Sequence, residues 1–294
     1  METKTIKLIR YLILPLAIFS LLGFVAWYQN NPDYKLHVNF YDVGQGDSIF
    51  IKTYLGTQIL LDGGPSNKVL EHLGQDLPFF DRLIDLVILS HPHADHVSGL
   101  IEVIKKYKVG KVLMPEVEFD SAAYKEFRSL IEEKKIEKIY AYVGQRIYLD
   151  NATVLDIYFP DRGKIVADNN SHGIQSSKRN PNDSSIVAKL SFGKNRFLFT
   201  GDAGHDIENL LLPKFNMDAD VLKVGHQGSK HSTSDGWLKE VTPIYSVISV
   251  GKNSYGHPTN EVLENLQEIN SRIFRTDQNG TIRMSSDGYK IFMK

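Results

Sequence analysis

Four potential metal ligands lie within six residues of the sequence. His91, His93, Asp95 and His96 follow the nearly continuous apolar run Leu83–Leu89, which is typical of a strand covered on both faces. Imidazole and carboxylate groups together suit zinc, and they also suit manganese or iron. The spacing allows His91 and His93 to face one metal ion while Asp95 and His96 face a second. A solvated histidine-rich turn is the alternative, but these ligand types favour a metal site.

One motif cannot complete two coordination shells, so we expect further ligands at the ends of other strands. Asp202 follows the strand-like run Phe197–Thr200, where its carboxylate could bridge two metals, and His226 follows the run Val221–Val224. Asp62 also ends a strand, where it is better placed to orient a ligand imidazole than to bind metal itself. A helix cap for Asp202 and an ordinary loop position for His226 are the alternatives.

The pattern of elements around these residues predicts one α+β domain. Short β-rich runs near the start of the domain indicate an antiparallel meander, and helical patterns follow at Ser98–Tyr107 and Ser121–Lys134. In the last third, helices and strands alternate. Strand runs followed by helices, twice over, predict a four-layer αββα sandwich. The polar stretch Asp161–Asp183 is typical of a long surface loop.

The motifs occur in an order that resembles a known superfamily. HxHxDH, then Gly201-Asp202, then His226 at a strand end resemble the metallo-β-lactamase superfamily. Other segments resemble the hydrolase domain of ComEC-type competence proteins, in order from about Leu36 to the C-terminus. These segments are Asp42–Ser48, Asn182–Ser185, Leu222–Ser229 and Ser254–Pro258. The resemblance implies the metallo-β-lactamase fold and a hydrolase with two divalent metal ions, either zinc or manganese.

The sequence departs from the family pattern at two positions. The family usually has a second histidine where Gln227 stands, so we transfer the ligand role to His226 alone. Superfamily members also carry a histidine ligand upstream of the Gly-Asp motif, where this chain has Asn182 and Asp183. Asp183 is therefore a candidate metal ligand in place of that imidazole, although a cap or turn role is the alternative.

Other residues of these segments are candidates to support the ligands or to contact the substrate. Gly44 and Gly46 flank Gln45, and such a turn can hold an anion or brace a carboxylate, while a tight hairpin is the alternative. The candidates are Asp42, Gln45, Asp47, Asp62, Asn182, Lys223 and Gln227. His257 is a candidate to contact a phosphate or to protonate a leaving group, or it is a turn residue before Pro258.

The N-terminus predicts a membrane anchor. Tyr11–Tyr28 contains no charge and has about the minimum length of a spanning helix, while Lys4, Lys7 and Arg10 precede it. This charge pattern predicts a single-pass protein of the cell membrane with its hydrolase domain outside. A cleaved signal peptide and a buried core helix are the alternatives. The predicted organisation is a cytoplasmic N-terminus (1–10), a transmembrane anchor (11–28), a linker (29–35) and the hydrolase domain (36–294).

Two metal ions would lower the pKa of a shared water, so the predicted reaction is hydrolysis by metal-bound hydroxide. Asp95, Asp202 and His257 are the candidate catalytic residues. The resemblance implies a phosphodiesterase or nuclease that acts on DNA, with a link to a DNA-uptake machinery. The alternatives are an acyl hydrolase for a lactone, lactam or thioester, and a non-catalytic anchored DNA-binding module.

Bulk composition narrows these functions only slightly. The formal net charge of −1 gives no global basic field, although a local groove could still bind DNA. The chain has no cysteine, which excludes disulfides, thiolate zinc sites and a cysteine nucleophile.

Overall fold

A computed structural model describes residue 11 and residues 13–24, 33–161 and 180–293. Most of the predicted loop Asp161–Asp183 lies outside these residues, as do residues 12 and 25–28 of the predicted anchor. Residues 13–24 are helical and carry exposed apolar side chains such as Phe19. Within the described part of the chain, no helix combines the length and apolarity that a membrane crossing needs.

From residue 33 onward, the described residues form fifteen strands and seven α-helices. The strands are β1 (Leu36–Phe40), β2 (Ile49–Lys52), β3 (Gln58–Leu61), β4 (Leu83–Ile88), β5 (Lys108–Pro115), β6 (Glu137–Ala141), β7 (Arg146–Tyr148), β8 (Thr153–Phe159), β9 (Val187–Phe192), β10 (Asn195–Phe199), β11 (Val221–Lys223), β12 (Tyr245–Ile248), β13 (Arg272–Arg275), β14 (Ile282–Ser286) and β15 (Ile291–Met293). The helices are α1 (Lys68–Asp76), α2 (Ala94–Lys106), α3 (Ala122–Glu133), α4 (His205–Leu211), α5 (Asp235–Val241), α6 (Asn260–Glu268) and α7 (Thr276–Asn279).

The strands form two sheets within the described residues. The first has the order β15-β14-β1-β2-β3-β4-β5-β6 and the second the order β13-β12-β11-β10-β9-β8-β7. The predicted meander is confirmed, since β1, β2 and β3 pair antiparallel. Strands β3 to β6 are parallel to one another, and so are β10 to β13. Parallel strands place their carboxyl ends at one edge of a sheet, so each sheet presents several strand ends together.

Three buried clusters hold the layers together. One fills the space between the sheets, where the rings of Phe40 and Phe199 lie 6.4 Å apart between centroids. A second joins helices α1 to α3 to the outer face of the first sheet. The third joins α4 to α6 to the outer face of the second sheet through residues such as Trp237. Each sheet is therefore covered on both faces, which explains the continuous apolar run in β4 and confirms the α+β two-sheet prediction.

The structure corrects the predicted start of the helix that follows the HxHxDH motif. The sequence pattern placed this start at Ser98, whereas α2 begins at Ala94 with His93 as its N-terminal flanking residue. Asp95 and His96 therefore lie in its first turn. The polar ligands interrupt the apolar periodicity that marks a helix, which is why the pattern missed the first turn. Strand β6 and helices α1 and α7 were also not predicted.

Two glycines bring helix α2 against the end of strand β3. The N–H groups of Gly63 and Gly99 donate to the carbonyls of His96 and Gly64, at 2.8 and 2.9 Å. A Cβ added to Gly99 would lie 1.8 Å from the carbonyl oxygen of Gly63, which is backbone and cannot rotate away. This close approach sets the distance between Asp62 at the strand end and His96 on the helix.

We expect Gly99→Ala to lower the free energy of unfolding by about 1–3 kcal/mol, because the methyl group forces the helix away from the strand. Gly74→Ala in α1 is the matched control, since a Cβ there meets no atom within 4 Å. That change should raise stability by about 0.5–1 kcal/mol through helix propensity. Urea unfolding curves measure both values, and equal effects of the two changes would refute the close-approach argument.

Candidate metal centre

The predicted ligands come together because parallel strand ends of both sheets point to the same end of the molecule. Asp62 and the segment that begins at Ser90 follow β3 and β4, which pair in register through Leu61 and Ile88. Asp202 and His226 follow the parallel strands β10 and β11 of the other sheet. The candidate site therefore lies where the two sheets meet.

Asp62 orients one histidine of the site. Its Oδ1 accepts a hydrogen bond from the N–H of Ser90 at 2.7 Å, and its Oδ2 accepts from the Ser90 hydroxyl at 2.6 Å. The same Oδ2 lies 2.8 Å from Nδ1 of His96. Because the carboxylate accepts a hydrogen bond from Nδ1–H of His96, the other ring nitrogen, Nε2, is free to face the site. All three side chains are buried.

Asp202 lies between two groups of potential ligands. The first group consists of His91, His93 and Asp202, in which Oδ2 of Asp202 is 3.7 Å from Nε2 of His91 and Nε2 of His91 is 3.2 Å from Nδ1 of His93. His226 lies outside this group, with its Nε2 3.6 Å from the same Oδ2. Oδ1 of Asp202 is 3.6 Å from Nε2 of His96. One carboxylate thus serves both groups with a different oxygen for each.

The second group consists of Asp95, His96 and Asp202, in which Oδ2 of Asp95 is 3.6 Å from Nε2 of His96. Nε2 of His96 and Oδ1 of Asp202 are buried, and among the described residues neither has a hydrogen-bond partner. Buried polar atoms are rarely left unsatisfied. Two such atoms, aimed at one point by imidazole and carboxylate groups, fit a divalent cation such as zinc.

Electrostatics within the site favour added positive charge. Burial raises the pKa of Asp202, but the neighbouring His96 and His91 lower it by a larger amount. The pKa therefore lies well below its ordinary value, and the carboxyl stays ionised. Burial lowers the pKa of His96, but Asp202, Asp95 and Asp62 raise it well above its ordinary value. Burial, and then the neighbouring His96, lower the pKa of His91. The surrounding carboxylates would therefore stabilise a cation placed between them.

Asp47, Asp62 and His96 form a third close group, in which Asp62 is held by Ser90 and His96, while Oδ1 of Asp47 is buried without a hydrogen-bond partner among the described residues. Lys223 places its Nζ 2.7 Å from Oδ2 of Asp47, and both side chains are about 1% exposed. Burial raises the pKa of Asp47 to about 6, against the opposing effect of Lys223. Lys223 is buried in this pair, which fits a supporting role, one of the two roles that the sequence left open for it.

A strained turn presents His226 and its neighbour to the site. His226 and Gln227 have φ values of 46° and 56°, in the left-handed region. This region costs non-glycine residues about 1–2 kcal/mol each. Surrounding bonds hold the turn, including the one from the N–H of His226 to the carbonyl of Gly201 at 3.1 Å. This backbone conformation directs the side chain of His226 toward Asp202 and that of Gln227 toward Asp95.

Gln227 is joined to Asp95 and to the Asp42–Ser48 segment by a chain of amides. The N–H of Gly251 donates to Oε1 of Gln45 at 3.0 Å, Nε2 of Gln45 donates to Oε1 of Gln227, and Nε2 of Gln227 donates to Oδ2 of Asp95 at 2.8 Å. A backbone N–H can only donate and a carboxylate can only accept, so the orientation of both amides is determined. Gln227 thus braces Asp95.

The turn that carries Gln45 needs glycine where it meets helix α2. A Cβ on Gly46, whose φ is 131°, would lie 2.1 Å from the backbone oxygen of Asp95. Asp42 lies further out, where its Oδ1 accepts from the N–H of Gly44 and its Oδ2 is 3.2 Å from Nζ of Lys68. Asp42 therefore supports the turn from outside the ligand groups.

The segment Pro181–Ser184 supports the site through Asn182 more than through Asp183. Nδ2 of Asn182 lies 3.5 Å from Nδ1 of His226. Asp183 belongs to none of the three ligand groups found in the described residues, and burial, with Asp206 nearby, raises its pKa. Ser185 accepts a hydrogen bond from the N–H of Asp202 at 3.1 Å. The supporting roles of Ser185 and Ser90 could not be predicted from the sequence, because neither residue type signals a site by itself.

His257 stands at the rim of the site, half-buried. Its ring centroid is 5.5 Å from that of His226, and burial lowers its pKa. Asn253 holds this loop, since its Oδ1 accepts from the N–H groups of His257 and Tyr255. Lys230 and Lys252 lie exposed on the two loops beside the site.

Comparisons with known proteins agree with this fold. Residues 41–252 match the family model described as Metallo-beta-lactamase superfamily. The chain is 30% identical over 270 residues to ComE operon protein 3 of Bacillus subtilis, covering 84% of this chain and 32% of that protein. It is 28% identical over 276 residues to Competence protein ComA of Neisseria gonorrhoeae, covering 92% of this chain and 35% of that protein. The chain thus spans about a third of the length of these relatives.

Among solved structures, the metallo-beta-lactamase fold protein YhfI of Bacillus subtilis superposes with a TM-score of 0.56 at 13% identity. The match covers 84% of this chain and 99% of that one. At this identity the similarity shows the fold.

We expect Gln227→Met to weaken binding of the metal beside Asp95 by about 10–100-fold, because the substitution removes the donor that holds this carboxylate. Gln227→His should retain the metal, since imidazole is itself a ligand. Competition with a chromogenic chelator measures the affinity. Gln267→Met, on the exposed face of α6, is the matched control, and equal affinity of the two Met variants would refute the bracing role.

Replacing each candidate aspartate by asparagine tests which carboxylate holds metal. The Asp202→Asn variant should lose one or both metal ions, because the two oxygens of this carboxylate face both ligand groups. The Asp183→Asn variant should keep its full metal content, since the Asp183 carboxylate lies outside the ligand groups. Metal content after dialysis, measured by inductively coupled plasma mass spectrometry, gives the answer. Loss of one ion in Asp183→Asn would instead make Asp183 the replacement for the missing histidine.

Proposed function

The chain belongs to the metallo-beta-lactamase superfamily, and we propose that it is a metal-dependent phosphodiesterase that acts on DNA outside the membrane. The observation that carries the proposal is the position of Asp202, whose two oxygens face two separate groups of imidazole and carboxylate ligands. Two divalent ions in such a site supply Lewis acidity and activate water for in-line displacement at phosphorus. Zinc fits the donor set, and manganese is the alternative.

The chain's own residues divide the remaining work. Asp62 fixes the ring of His96, and the amide chain through Gln45 and Gln227 fixes Asp95, so the ligands are positioned before substrate arrives. His257, at the rim, is placed to contact a phosphate oxygen. This contact would hold the scissile group beside the ligands without using the buried Lys223.

DNA as the substrate rests on similarity and on exposed charge. The relative named Competence protein ComA and the motifs shared with ComEC-type proteins support a role in DNA processing. Lys230 and Lys252 flank the site on two exposed loops, where they could bind phosphates on either side of the scissile bond. A link to a DNA-uptake machinery follows from the same similarity.

We also propose that residues 11–28 anchor the chain in the cell membrane with the catalytic domain outside. The exposed apolar side chains of helical residues 13–24 support this location. Lys4, Lys7 and Arg10 on the preceding side support the orientation.

The test is metal-dependent cleavage of single-stranded and double-stranded DNA by the zinc-loaded or manganese-loaded protein. Cleavage should fall by at least about 100-fold in Asp202→Asn and should stop with EDTA, because both remove the two-metal centre. Asp235→Asn is the matched control, since this exposed carboxylate pairs, within the described part of the chain, with Lys239 on α5.

Other outcomes would replace the proposal. Opening of a chromogenic lactam or lactone without DNA cleavage would make the protein an acyl hydrolase, because the same ligands serve attack on a carbonyl. DNA binding without any cleavage, in protein with two metals bound, would make it a non-catalytic anchored module.

A further inference from the structure

Exposed aromatic and aliphatic side chains line the edge of the first sheet opposite the metal centre. This aromatic edge consists of Tyr34, Leu55, Phe79, Phe80 and Tyr289. Phe79 and Tyr289 are 88% and 72% exposed. Single exposed apolar residues need no explanation on a protein surface, but a row of large ones at one edge does.

The pairing register places these residues in one row. Leu36 at the start of β1 pairs with Ser286 at the end of β14, and His37 pairs with Lys52 at the end of β2. Lys52 in turn pairs with Gln58 at the start of β3.

The residues of the aromatic edge lie in the segments beside these paired ends. Tyr34 precedes β1, Leu55 lies in the β2–β3 turn, Phe79 and Phe80 precede β4, and Tyr289 lies in the β14–β15 turn. With neighbouring strands about 4.8 Å apart, the row from β14 to β4 is roughly 20 Å long.

Basic side chains accompany the exposed rings. The guanidinium of Arg82 lies 5.7 Å from the ring centroid of Phe79, and Nζ of Lys194 lies 5.5 Å from that of Tyr289. Lys108 and Lys290 are exposed at the same edge. The acids there already have partners: Asp287 accepts from the N–H groups of Tyr289 and Lys290, Asp81 accepts from the N–H of Leu83 and the amide of Gln58, and Asp33 pairs with His37. Aromatic rings with adjacent lysine or arginine are typical of surfaces that enter a lipid headgroup layer.

The course of the chain favours a membrane over another partner. β1 begins at this edge, directly after the proposed anchor and linker, and linker residues 29–35 reach at most about 25 Å even when fully extended. An anchored chain therefore keeps this edge close to the bilayer. The metal ligands follow the opposite ends of β3 and β4, about 20 Å away along the six residues of β4.

We propose that the aromatic edge inserts into the headgroup layer of the membrane that holds the anchor, and so directs the metal centre away from the bilayer. The proposal rests on the anchored location given above. Insertion places the rings of Phe79 and Phe80 among the upper acyl segments, and Arg82 and Lys108 among anionic headgroups. A DNA strand would then reach the site from the aqueous side without approaching the lipid.

The chain has no cysteine, so one introduced cysteine can carry a single fluorophore. Phe79→Cys and Leu55→Cys report on the aromatic edge, and Tyr255→Cys, also highly exposed but beside His257, is the matched control at the metal centre. Each full-length variant is labelled with nitrobenzoxadiazole and reconstituted into phosphatidylcholine–phosphatidylglycerol vesicles. Lipids with a spin label near the headgroup then quench only probes that lie within the bilayer.

At positions 79 and 55 we expect blue-shifted emission and about twofold or greater quenching by the labelled lipids, because these probes would lie inside the interface. The probe at position 255 should keep its emission. If the protein stays bound to the vesicles and the probes at positions 79 and 255 show equal emission without quenching, the proposal is overturned. A blue shift at 79 that appears in detergent, grows with protein concentration and resists quenching by lipid would also overturn it, since a second copy would then cover the edge.

A carbonate wash of the same vesicles tests the anchor separately. Retention of the chain supports the anchor whatever the probes show. Release of the chain removes the location on which the inserted edge depends, while DNA cleavage by the same protein remains a separate measurement. Failure of the anchor, failure of the inserted edge and failure of DNA cleavage are therefore distinguishable.

Discussion

The buried carboxylate of Asp202 is the contact on which the site depends. It follows β10 of the second sheet, yet its oxygens lie within 4 Å of histidines that follow β4 of the first sheet. A carboxylate buried so deeply is stable only if positive charge or hydrogen-bond donors surround it. His91, His96 and His226 provide these groups, and a bound cation would provide more. Binding of a metal ion would therefore be coupled to the contact between the two sheets.

The surrounding structure makes this arrangement rigid at some energetic cost. His226 and Gln227 occupy left-handed backbone conformations, and the Asp47–Lys223 ion pair is almost fully buried. Asp62, in turn, is held by Ser90 on two sides. Costs of this kind are typical of functional sites, where surrounding bonds enforce a geometry that the chain would not adopt alone. Here they hold ligands from both sheets in one place.

The direction of the strands gives the domain two different ends. Carboxyl ends of β3, β4, β10 and β11 carry the polar ligands, while amino ends of β1, β3 and β4 adjoin exposed aromatic side chains. A strand of six residues separates the two ends, which is long enough to keep metal chemistry apart from an apolar surface. The proposed anchor precedes β1 and would therefore lie at the apolar end of the domain.

Local sequence determined the identity of most candidate ligands and the class of fold. HxHxDH, Gly201-Asp202 and His226 were recognisable because ligand chemistry depends on residue type, and the two-sheet fold because apolar periodicity depends on burial. The sequence did not reveal that α2 begins at Ala94, because ligand residues interrupt its apolar pattern. Nor did it show which amide braces Asp95 or that Lys223 is buried. Gln45 and Gln227 are 182 positions apart, and only the folding of both sheets brings them together.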